Sequence, residues 1–351
     1  MKTLRYVFPG RFCPPTFGHY NVVKRSAQMF PHVTVVCSTN PDKTQDIFLP
    51  HESKELWQSY KLPSNVTVLS FEEFRKVSTG DQETVIVRGI RNYEDLRDEE
   101  RVMALNKKLF GIDKYFYLVG DDDLKQVSAS KARELAMSLR FEELAGYIAP
   151  LIISKLFERT LGIDNLFLVV GRPGSGKSTF LKMLSEIDGK NVHINTDQFN
   201  KKVRPLLLNA FGQQDLIRLS IEKKEEFASV IKGPWFDLLR EAMISLKKMS
   251  NVFVEIPYGL QLDKAMYNFV GGKVVYIGCG NETENRQRIV ERGKPEIAAF
   301  INEIPDWQAS LQIANENQLQ ICKIDTSGSL EKLQLTAEKF NQEICPGVKN
   351  V

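Results

Sequence analysis

The stretch NLFLVVGRPGSGKSTFLKMLSEI, residues 165–187, joins an apolar strand pattern to a glycine-rich loop and then to a helical pattern. Its middle, GRPGSGKS from Gly171 to Ser178, matches the motif G-x-x-x-x-G-K-[ST] in full. Glycines let backbone N–H groups close around phosphate oxygens, and the lysine and hydroxyl residue that end such a loop reach the phosphates and a magnesium ion. The stretch therefore predicts a nucleotide-phosphate site between a strand and a helix.

The same alternation of strand and helix patterns continues on both sides of this stretch. A chain of 351 residues has room for two domains of roughly 150 residues each. We predict an α/β protein with two domains, residues 1–160 and 161–351, each a mostly parallel sheet with helices on both faces. The boundary is expected within FERTLGIDN, residues 157–165. Residues 214–248 have a largely helical pattern that Gly233 and Pro234 are expected to interrupt.

The overall composition is that of an ordinary globular protein. The chain is 42% hydrophobic and 26% charged with a net charge of +3, which favours neither nucleic acid nor membrane binding. Its five cysteines include no CxxC pair, a usage that fits a reducing compartment. No signal-peptide pattern or membrane-span pattern occurs, so we expect a cytoplasmic protein. The sequence leaves a homo-oligomer open.

In the second half, the glycine-rich loop supplies most of the candidate residues. Lys177 is expected to contact the β- and γ-phosphates of ATP as a catalytic residue, and Ser178 to bind Mg²⁺. Besides Lys177, the residues of this stretch that are predicted to bind ATP are Gly171, Gly174, Ser175, Gly176, Ser178 and Thr179. An ATP-binding loop alone does not distinguish a kinase from an ATPase or GTPase.

Acidic and basic residues further along add candidate roles. Asp197 follows the next predicted strand, where it would act as a catalytic base or bind Mg²⁺, or alternatively only cap a helix. Glu255 ends a predicted buried strand, where it would bind a metal ion or, alternatively, form half of a structural ion pair. Arg288 and Arg292 lie four residues apart, either on a lid that closes on ATP or on a solvated basic face.

Three stretches of the first half fall at predicted strand ends or helix starts: GRFCPPTFGH (10–19), VIVRGIRNYEDLRDE (85–99) and VSASKAR (127–133). His19 is expected to hydrogen-bond a phosphate, and Arg88 and Arg91 to hold phosphate oxygens. The alternatives are a capping histidine and surface ion pairs to Asp95 or Glu99. The predicted ATP-binding residues are Gly10, Arg11, Phe12, Gly18, Arg88, Gly89, Glu99, Ser128 and Ser130, and His19 and Arg91 are predicted to be catalytic.

This set resembles the nucleotidyltransferase superfamily with a (T/H)xGH motif, and within it the phosphopantetheine adenylyltransferases. The matching positions are Pro9, Gly10, Phe12, Pro14, Thr16, Gly18, His19, Arg88, Gly89, Ile90, Arg91, Asp95, Glu99 and the block Val127–Ser130. The resemblance covers about residues 4–158 and implies a Rossmann-like fold that transfers an adenylyl group from ATP to 4′-phosphopantetheine. It also implies that Lys43, in NPDK, acts as a catalytic residue at the acceptor phosphate. Arg11 and Cys13 depart from this pattern, and GRF is instead how many nicotinamide mononucleotide adenylyltransferases begin.

The second half resembles the nucleoside- and cofactor-kinase branch of P-loop proteins, with dephospho-CoA kinase nearest. Asn195 stands where that family has the first acid of an Asp-x-Asp, so only Asp197 is kept. Together the two resemblances imply a bifunctional coenzyme A synthase that uses ATP as substrate with Mg²⁺, and that has small phosphorylated molecules as partners.

Three other interpretations stay open. The chain could join a nicotinamide mononucleotide adenylyltransferase to a ribosylnicotinamide kinase, which the GRF start favours. It could pair an adenylyltransferase with a kinase for another nucleotide or for a nucleic-acid end. It could also be a regulator that binds nucleotides without turnover, to which Arg11, Cys13 and Asn195 would be suited.

Overall fold

A computed structural model describes residues 3–39, 46–77, 82–213, 215–261, 266–267 and 272–344. The chain divides into two compact units, Met1–Leu156 and Phe157–Val351, and the division falls within the helix Pro150–Leu161. Along the described ranges, no helix is both long enough and apolar enough to cross a membrane.

The N-terminal unit contains one five-stranded sheet in the order β3-β2-β1-β4-β5, in which every neighbouring pair is parallel. Its strands are β1 Thr3–Gly10, β2 Val33–Cys37, β3 Val66–Ser70, β4 Gln82–Ile90 and β5 Lys114–Val119. Its described helices are Phe17–Met29, Pro50–Leu56, Phe71–Val77, Tyr93–Phe110, Ala129–Met137 and Phe141–Leu144, followed by Pro150–Leu161.

The side of the sheet to which the chain adds new strands changes at β1. From β1 the chain passes outward to β2 and β3, whereas β4 returns to the other side of β1 and β5 continues away from it. Because parallel crossovers are right-handed, crossovers that run in opposite directions place their helices on opposite faces of the sheet. The carboxyl ends of β1 and β4 therefore leave a crevice between diverging helices, which is where open α/β sheets bind ligands.

The C-terminal unit also contains a five-stranded parallel sheet, in the different order β10-β9-β6-β8-β7. Its strands are β6 Asn165–Val170, β7 Asn191–Ile194, β8 Asn251–Glu255, β9 Lys273–Gly278 and β10 Ile321–Asp325. Its longer described helices are Lys177–Ile187, Asp197–Phe211, Leu216–Glu222, Lys224–Ile244, Glu282–Glu291, Trp307–Glu316 and Leu330–Ile344, and Pro295–Ala299 is a short one.

The core of this unit fixes the helix that follows the glycine-rich loop. Phe167 of β6 stacks on Phe253 of β8 with ring centroids 4.8 Å apart. Phe180 of the helix Lys177–Ile187 lies against Phe340 of the last helix, at 5.9 Å between centroids. Burial of these rings on the sheet holds the start of the helix Lys177–Ile187 at the carboxyl end of β6.

The predicted fold class is confirmed: both units are α/β with parallel sheets, and the pairing is entirely parallel among the described strands. The predicted helix interruption at Gly233 and Pro234 is wrong, because the helix Lys224–Ile244 runs through both residues. Proline costs a helix interior about 3 kcal/mol. Seven buried side chains of this helix, Trp235 and Phe236 among them, offset that cost by packing. The actual break lies at Lys223, between two helices.

A chain of hydrogen-bonded asparagines, with the buried Asn191 and Asn251 at its centre, crosses the amino-terminal edge of the second sheet. The Asn165 side chain donates to Asn251 at 2.8 Å, Asn251 donates to Asn191 at 2.9 Å, and Asn191 donates to Asn341 at 2.7 Å. The first three residues begin β6, β8 and β7, and the parallel register pairs both Asn165 and Asn191 with Asn251. This network lies at the edge opposite to the ligand edge, so its role is to hold strands in register.

Replacing Asn251 by alanine is expected to destabilise the protein without altering nucleotide binding. Asn251 is fully buried. Its loss removes the acceptor for the Asn165 amide and the donor to the Asn191 side-chain oxygen. We expect a loss of about 2–3 kcal/mol in the free energy of unfolding, measured by urea denaturation. Asn315→Ala, at an exposed position, serves as the control and should change stability by less than about 0.5 kcal/mol. Equal effects of the two substitutions would contradict the assignment.

Candidate functional site

The N-terminal unit carries a cavity of about 420 Å³ at the carboxyl ends of β1 and β4. This volume lies within the usual range for small-molecule sites. Its lining includes the predicted site residues Gly10, Arg11, Phe12, Gly18, His19, Arg88, Gly89, Arg91, Glu99, Ser128 and Ser130. The three sequence stretches that were expected to act together thus meet at one cavity. Lys43, the remaining candidate of this half, lies outside the described residues.

His19 lies in the first turn of the helix Phe17–Met29 and takes part in a capping box. The Thr16 N–H donates to Nδ1 of His19 at 3.0 Å, and the backbone N–H of His19 donates to the Thr16 hydroxyl at 3.4 Å. Because Nδ1 accepts a hydrogen bond, the neutral ring carries its proton on Nε2. The capping role therefore leaves Nε2–H as a donor for a ligand in the cavity, so the two interpretations of His19 are compatible.

The electrostatics keep His19 neutral. Burial, followed by the positive charges of Arg91 and Arg88, lowers the pKa of His19 from 6.5 to about 4. A neutral imidazole cannot act as a general acid of ordinary strength at pH 7. It acts instead as a hydrogen-bond donor whose interaction with a phosphate strengthens as negative charge develops there.

The depressed pKa of His19 predicts acid sensitivity of the N-terminal unit. The unfolded chain binds a proton at His19 below about pH 6.5, whereas the folded chain does so only near pH 4. The contribution of this group to stability is therefore complete above pH 6.5 and is lost as the pH falls from 6.5 toward 4. His19→Gln should flatten this part of the stability profile, measured by urea denaturation at pH 7 and pH 5. A wild-type profile that the substitution leaves unchanged would contradict the pKa shift.

Arg88 and Arg91 each form an ion pair with an acid of the helix Tyr93–Phe110. Arg88 pairs with Glu99 and also donates to the Pro9 carbonyl at 2.7 Å. Arg91 holds Asp95 with two hydrogen bonds of 2.8 and 2.9 Å. The ion pairs that were open as alternatives are therefore present. They line the cavity, so they also orient two guanidinium groups at the place where phosphates would bind.

The Glu99 carboxylate is buried and only partly satisfied. One oxygen accepts from Arg88, while Oε2 is buried and has no hydrogen-bond partner among the described residues. A buried carboxylate oxygen costs free energy unless it accepts a hydrogen bond. Glu99 lines the cavity, so a hydroxyl or amino group of a ligand is the natural donor to this oxygen.

Gly89 and Phe12 have unusual backbone requirements at the strand ends beside the cavity. A Cβ atom at Gly89 would lie 2.6 Å from a methyl carbon of Val22, so only glycine allows β4 to approach this helix. Phe12 has the opposite problem, because it adopts a φ of 44° although it is not glycine. Phe12 is only 3% exposed at the edge of the cavity that it lines.

The helix Ala129–Met137 brings its N-terminus to the same cavity. Ser128 caps it by accepting from the Lys131 N–H at 3.2 Å. Ser130 accepts from Arg133 at 3.1 Å, and Arg133 also donates to the Cys13 carbonyl. The helix N-terminus and the Arg133 guanidinium together make this side of the cavity suited to an anion.

The two departures from the family pattern also lie in the cavity lining. Arg11 forms an ion pair with Asp46, so its charge is balanced within the protein. The Cys13 thiol is buried and accepts a hydrogen bond from the Phe48 N–H at 3.3 Å. Both side chains therefore contact residues 46–48, directly after the segment that contains Lys43.

In the C-terminal unit, the glycine-rich loop follows β6 as the sequence predicts and closes tightly on its neighbours. Gly171 has a φ of 148°, and a Cβ atom there would collide with the Ile277 carbonyl of β9. Ser175 and Gly176 are buried, whereas Ser178 is exposed in the first turn of the helix and Thr179 is partly exposed. The Ser178 hydroxyl is thus accessible from solvent beside the loop.

Lys177 is buried beneath the loop. Its Nζ donates to the carbonyls of Gly171 at 3.0 Å and Arg172 at 3.1 Å, and it lies 3.6 Å from the Glu255 carboxylate. Burial alone would raise the pKa of Glu255, but the His193 side chain and the Lys177 charge outweigh it, so this pKa is lowered. Glu255 is therefore a carboxylate at neutral pH, held at the end of β8 next to the phosphate loop.

These residues fit a magnesium ion bound with a nucleotide. Mg²⁺ is commonly held by one or two protein oxygens together with phosphates and water. The exposed Ser178 hydroxyl and the ionised Glu255 carboxylate supply oxygens of that kind. Within the described ranges, no cluster of three or more His, Cys, Asp or Glu residues forms a protein-only metal site. Asp197 begins the helix Asp197–Phe211, and its side chain lies outside what the structure describes.

Arg288 and Arg292, the predicted lid residues, occupy different environments. Arg288 donates to the Thr326 hydroxyl at 3.1 Å and carbonyl at 2.8 Å, and Thr326 donates to the Ser175 carbonyl at 2.7 Å. Arg288 is thereby linked through Thr326 to the glycine-rich loop. Arg292 is exposed at the C-terminal cap of the helix Glu282–Glu291. Binding of phosphate by either arginine stays a prediction.

The first half of the chain is similar to known proteins. The cytidylyltransferase-like family matches residues 7–135. The chain is 32% identical over 157 residues to the phosphopantetheine adenylyltransferase of Lactobacillus acidophilus, which is 44% of this chain and 96% of that relative. The chain belongs to the cytidylyltransferase-like family of nucleotidyltransferases. This confirms the coarser part of the predicted resemblance, a nucleotidyltransferase in the first half.

Two solved structures similar to this cytidylyltransferase-like protein differ in how much of the chain they cover. The NadR protein in complex with NR aligns with 99% of this chain and 97% of its own, at 15% identity and a TM-score of 0.34. Shikimate kinase from Acinetobacter baumannii in complex with shikimate aligns with 56% of this chain and 99% of its own, at 19% identity and a TM-score of 0.34.

Some residues that line or support the sites of this cytidylyltransferase-like protein were not predicted from its sequence. Arg133 could have been found, because it lies three residues after Ser130 on a helix that was already predicted to bind an anion. Asp121 also lines the cavity and is held by Arg25 and Asn21. Thr326 had no sequence signal, since only the tertiary fold brings it to the glycine-rich loop.

Proposed function

We propose that the N-terminal unit transfers an adenylyl group from ATP to 4′-phosphopantetheine, giving dephospho-CoA and pyrophosphate. The observation that carries this proposal is the likeness to a phosphopantetheine adenylyltransferase over 96% of that relative's length, and the site residues predicted from the sequence line one cavity of this chain. In this reaction an oxygen of the acceptor phosphate attacks the α-phosphorus of ATP, and the bond to pyrophosphate breaks.

The cavity contains the groups that such a reaction needs. Adenylyl transfer requires positioning and charge stabilisation rather than a protein nucleophile. His19 would donate from Nε2 to the phosphate that gains charge, and Arg88 and Arg91 would hold phosphate oxygens. The N-terminus of the helix Ala129–Met137, with Arg133 beside it, would bind the leaving pyrophosphate.

We propose further that the C-terminal unit transfers the γ-phosphoryl group of a second ATP to the 3′-hydroxyl of dephospho-CoA. The complete loop motif and the buried pair of Lys177 and Glu255 support this proposal. Lys177 would neutralise the transferred phosphoryl group, and Ser178 and Glu255 would hold the Mg²⁺ that accompanies ATP. Asp197 would accept the proton of the acceptor hydroxyl.

A second candidate is a nicotinamide mononucleotide adenylyltransferase joined to a ribosylnicotinamide kinase. The observation that favours it is the GRF sequence, whose Arg11 lines the cavity in place of a small hydroxyl residue. Arg-Gly-Ile-Arg, residues 88–91, and the acidic helix after it favour the phosphopantetheine reading instead. Chemistry at ATP is the same in both cases, and only the acceptor differs.

The test is to incubate the full chain with ATP, Mg²⁺ and either 4′-phosphopantetheine or nicotinamide mononucleotide, and to measure pyrophosphate and products by mass spectrometry. We expect dephospho-CoA and then a product one phosphate heavier. Turnover of nicotinamide mononucleotide alone would replace the coenzyme A proposal with the second candidate. ATP binding without any turnover of either acceptor would favour a nucleotide-binding regulator.

Asp197→Asn is expected to reduce phosphoryl transfer more than ATP binding. An amide keeps the size and helix position of the carboxylate but cannot accept the hydroxyl proton. We expect kcat for phosphorylation to fall about 100-fold or more with the affinity for ATP changed only slightly. Asp188→Asn, at the partly exposed C-cap of the helix Lys177–Ile187, is the control. An unchanged kcat in Asp197→Asn would exclude Asp197 as the base.

A further inference from the structure

The backbone of Phe12 is strained at the edge of the nucleotide cavity. Its φ of 44° lies in the left-handed region, which aromatic L-residues rarely adopt. The side chain is nevertheless well packed, with 3% of its surface exposed. Strain of this kind persists only where surrounding contacts enforce it, and it concentrates at functional sites. The strained backbone of Phe12 therefore indicates that its ring makes a contact of functional importance.

The Phe12 ring lies between His19 on one side and Trp57 on another. The His19 ring is nearly perpendicular to it, with centroids 5.1 Å apart and an interplanar angle of 85°. Trp57 meets the Phe12 ring in the same edge-on manner at 5.2 Å and 80°. Trp57 is fully buried in the short turn Trp57–Ser59, so the far side of Phe12 is blocked.

We propose that Phe12, supported by Trp57, positions the His19 imidazole so that its Nε2–H points at the bound nucleotide. A histidine side chain has two rotatable bonds. The hydrogen bond from Thr16 to Nδ1 fixes one edge of the ring, and the edge-on contact with Phe12 fixes the plane of the ring. Neither contact alone defines the direction of Nε2, whereas the two together do.

The same contact keeps water away from the imidazole. The charged groups that face His19 are Arg88 and Arg91, and their acidic partners are Glu99 and Asp95. The apolar surface of Phe12 adds desolvation to the repulsion from the two arginines, and both favour the neutral ring. Phe12 is thus a positioning residue that acts through His19. The proposal rests on the adenylyl transfer proposed above, but its physical part concerns His19 alone.

The test is Phe12→Leu, with Phe141→Leu as the control. Phe141 is fully buried in the same unit and is not among the residues that line the cavity, so its replacement creates a void of the same kind elsewhere. The pKa of His19 is measured by NMR titration and assigned by comparison with His19→Gln, since the chain has 4 histidines. Steady-state kinetics of pyrophosphate release give kcat and KM for ATP.

In Phe12→Leu we expect the His19 pKa to rise from about 4 toward 6.5, and kcat to fall about 100-fold with little change in KM. Phe141→Leu should leave both quantities near the wild-type values. An unchanged His19 pKa and kcat in folded Phe12→Leu would overturn the proposal, as would equal changes in the two variants.

A second variant keeps the test decisive if Phe12→Leu fails to fold. Trp57→Leu leaves the strained residue in place and removes the ring that supports it, so a smaller rise in the His19 pKa is expected; no rise would overturn the proposal. The titration needs no substrate. If the wild-type protein shows no adenylyl transfer while the His19 pKa still responds to Phe12, the proposed function fails but the positioning role stands.

Discussion

His19→Ala is expected to lower pyrophosphate release by about 100- to 1,000-fold while leaving phosphoryl transfer by the C-terminal unit unchanged. The substitution removes the Nε2–H donor from a cavity where burial, together with the charges of Arg91 and Arg88, already keeps the imidazole neutral. The lost interaction is one that strengthens as charge develops, so kcat should fall more than the affinity for ATP. Product formation from 4′-phosphopantetheine, followed by mass spectrometry, measures this effect.

His32→Ala is the matched control, because His32 is exposed in the same unit and does not line the cavity. The kinase activity of the same preparation, measured with dephospho-CoA, shows whether the rest of the chain is intact. Loss of both activities in folded His19→Ala protein would contradict two independent sites. An unchanged rate of pyrophosphate release would remove His19 from the mechanism.

Lys177→Ala should have the opposite pattern, with phosphoryl transfer reduced about 100- to 1,000-fold and adenylyl transfer retained. The Lys177 ammonium is buried under the loop within 3.1 Å of two loop carbonyls and 3.6 Å from Glu255. Its loss removes the charge that would meet the transferred phosphoryl group. It also leaves Glu255 without its nearest cation, so the pKa of Glu255 should rise.

Lys182→Ala provides the control for this second prediction. Lys182 lies on the same helix, but its side chain is 77% exposed and its partner Glu186 is a surface residue. Phosphoryl transfer from ATP to dephospho-CoA should be normal in this variant. If Lys177→Ala retained kinase activity, or if Lys182→Ala lost it, the glycine-rich loop would not be the phosphoryl-transfer site.

Local pattern was sufficient to predict most of the fold. The strand–loop–helix stretch around Gly171–Ser178 and the alternation on either side of it predicted two parallel α/β units, because both signals are carried by neighbouring residues. The pattern failed at Gly233 and Pro234 for the same reason. Local propensity predicts a break there, whereas burial of Trp235 and Phe236 against the rest of the unit decides otherwise.

The candidate site of the N-terminal unit was predictable to a similar degree. Residues at the ends of parallel strands converge at one edge of the sheet, so His19, Arg88 and Ser128 could be grouped from their positions alone. The sequence could not show that Arg91 binds Asp95 with two hydrogen bonds, or that Arg11 pairs with Asp46. Such pairs depend on side-chain direction and distance, which no spacing rule contains.

The sequence by itself determined the fold class, the family of the N-terminal unit and most of the residues that meet at its cavity, since motifs and periodicity are local properties. Only the tertiary structure decided the state in which those residues act. It placed the partly buried His19 beside two arginines and so made it a neutral donor, and it packed Phe12 between the His19 ring and Trp57. The physical reason is that desolvation and ring contacts arise between segments distant in sequence, and they exist only after the chain has folded.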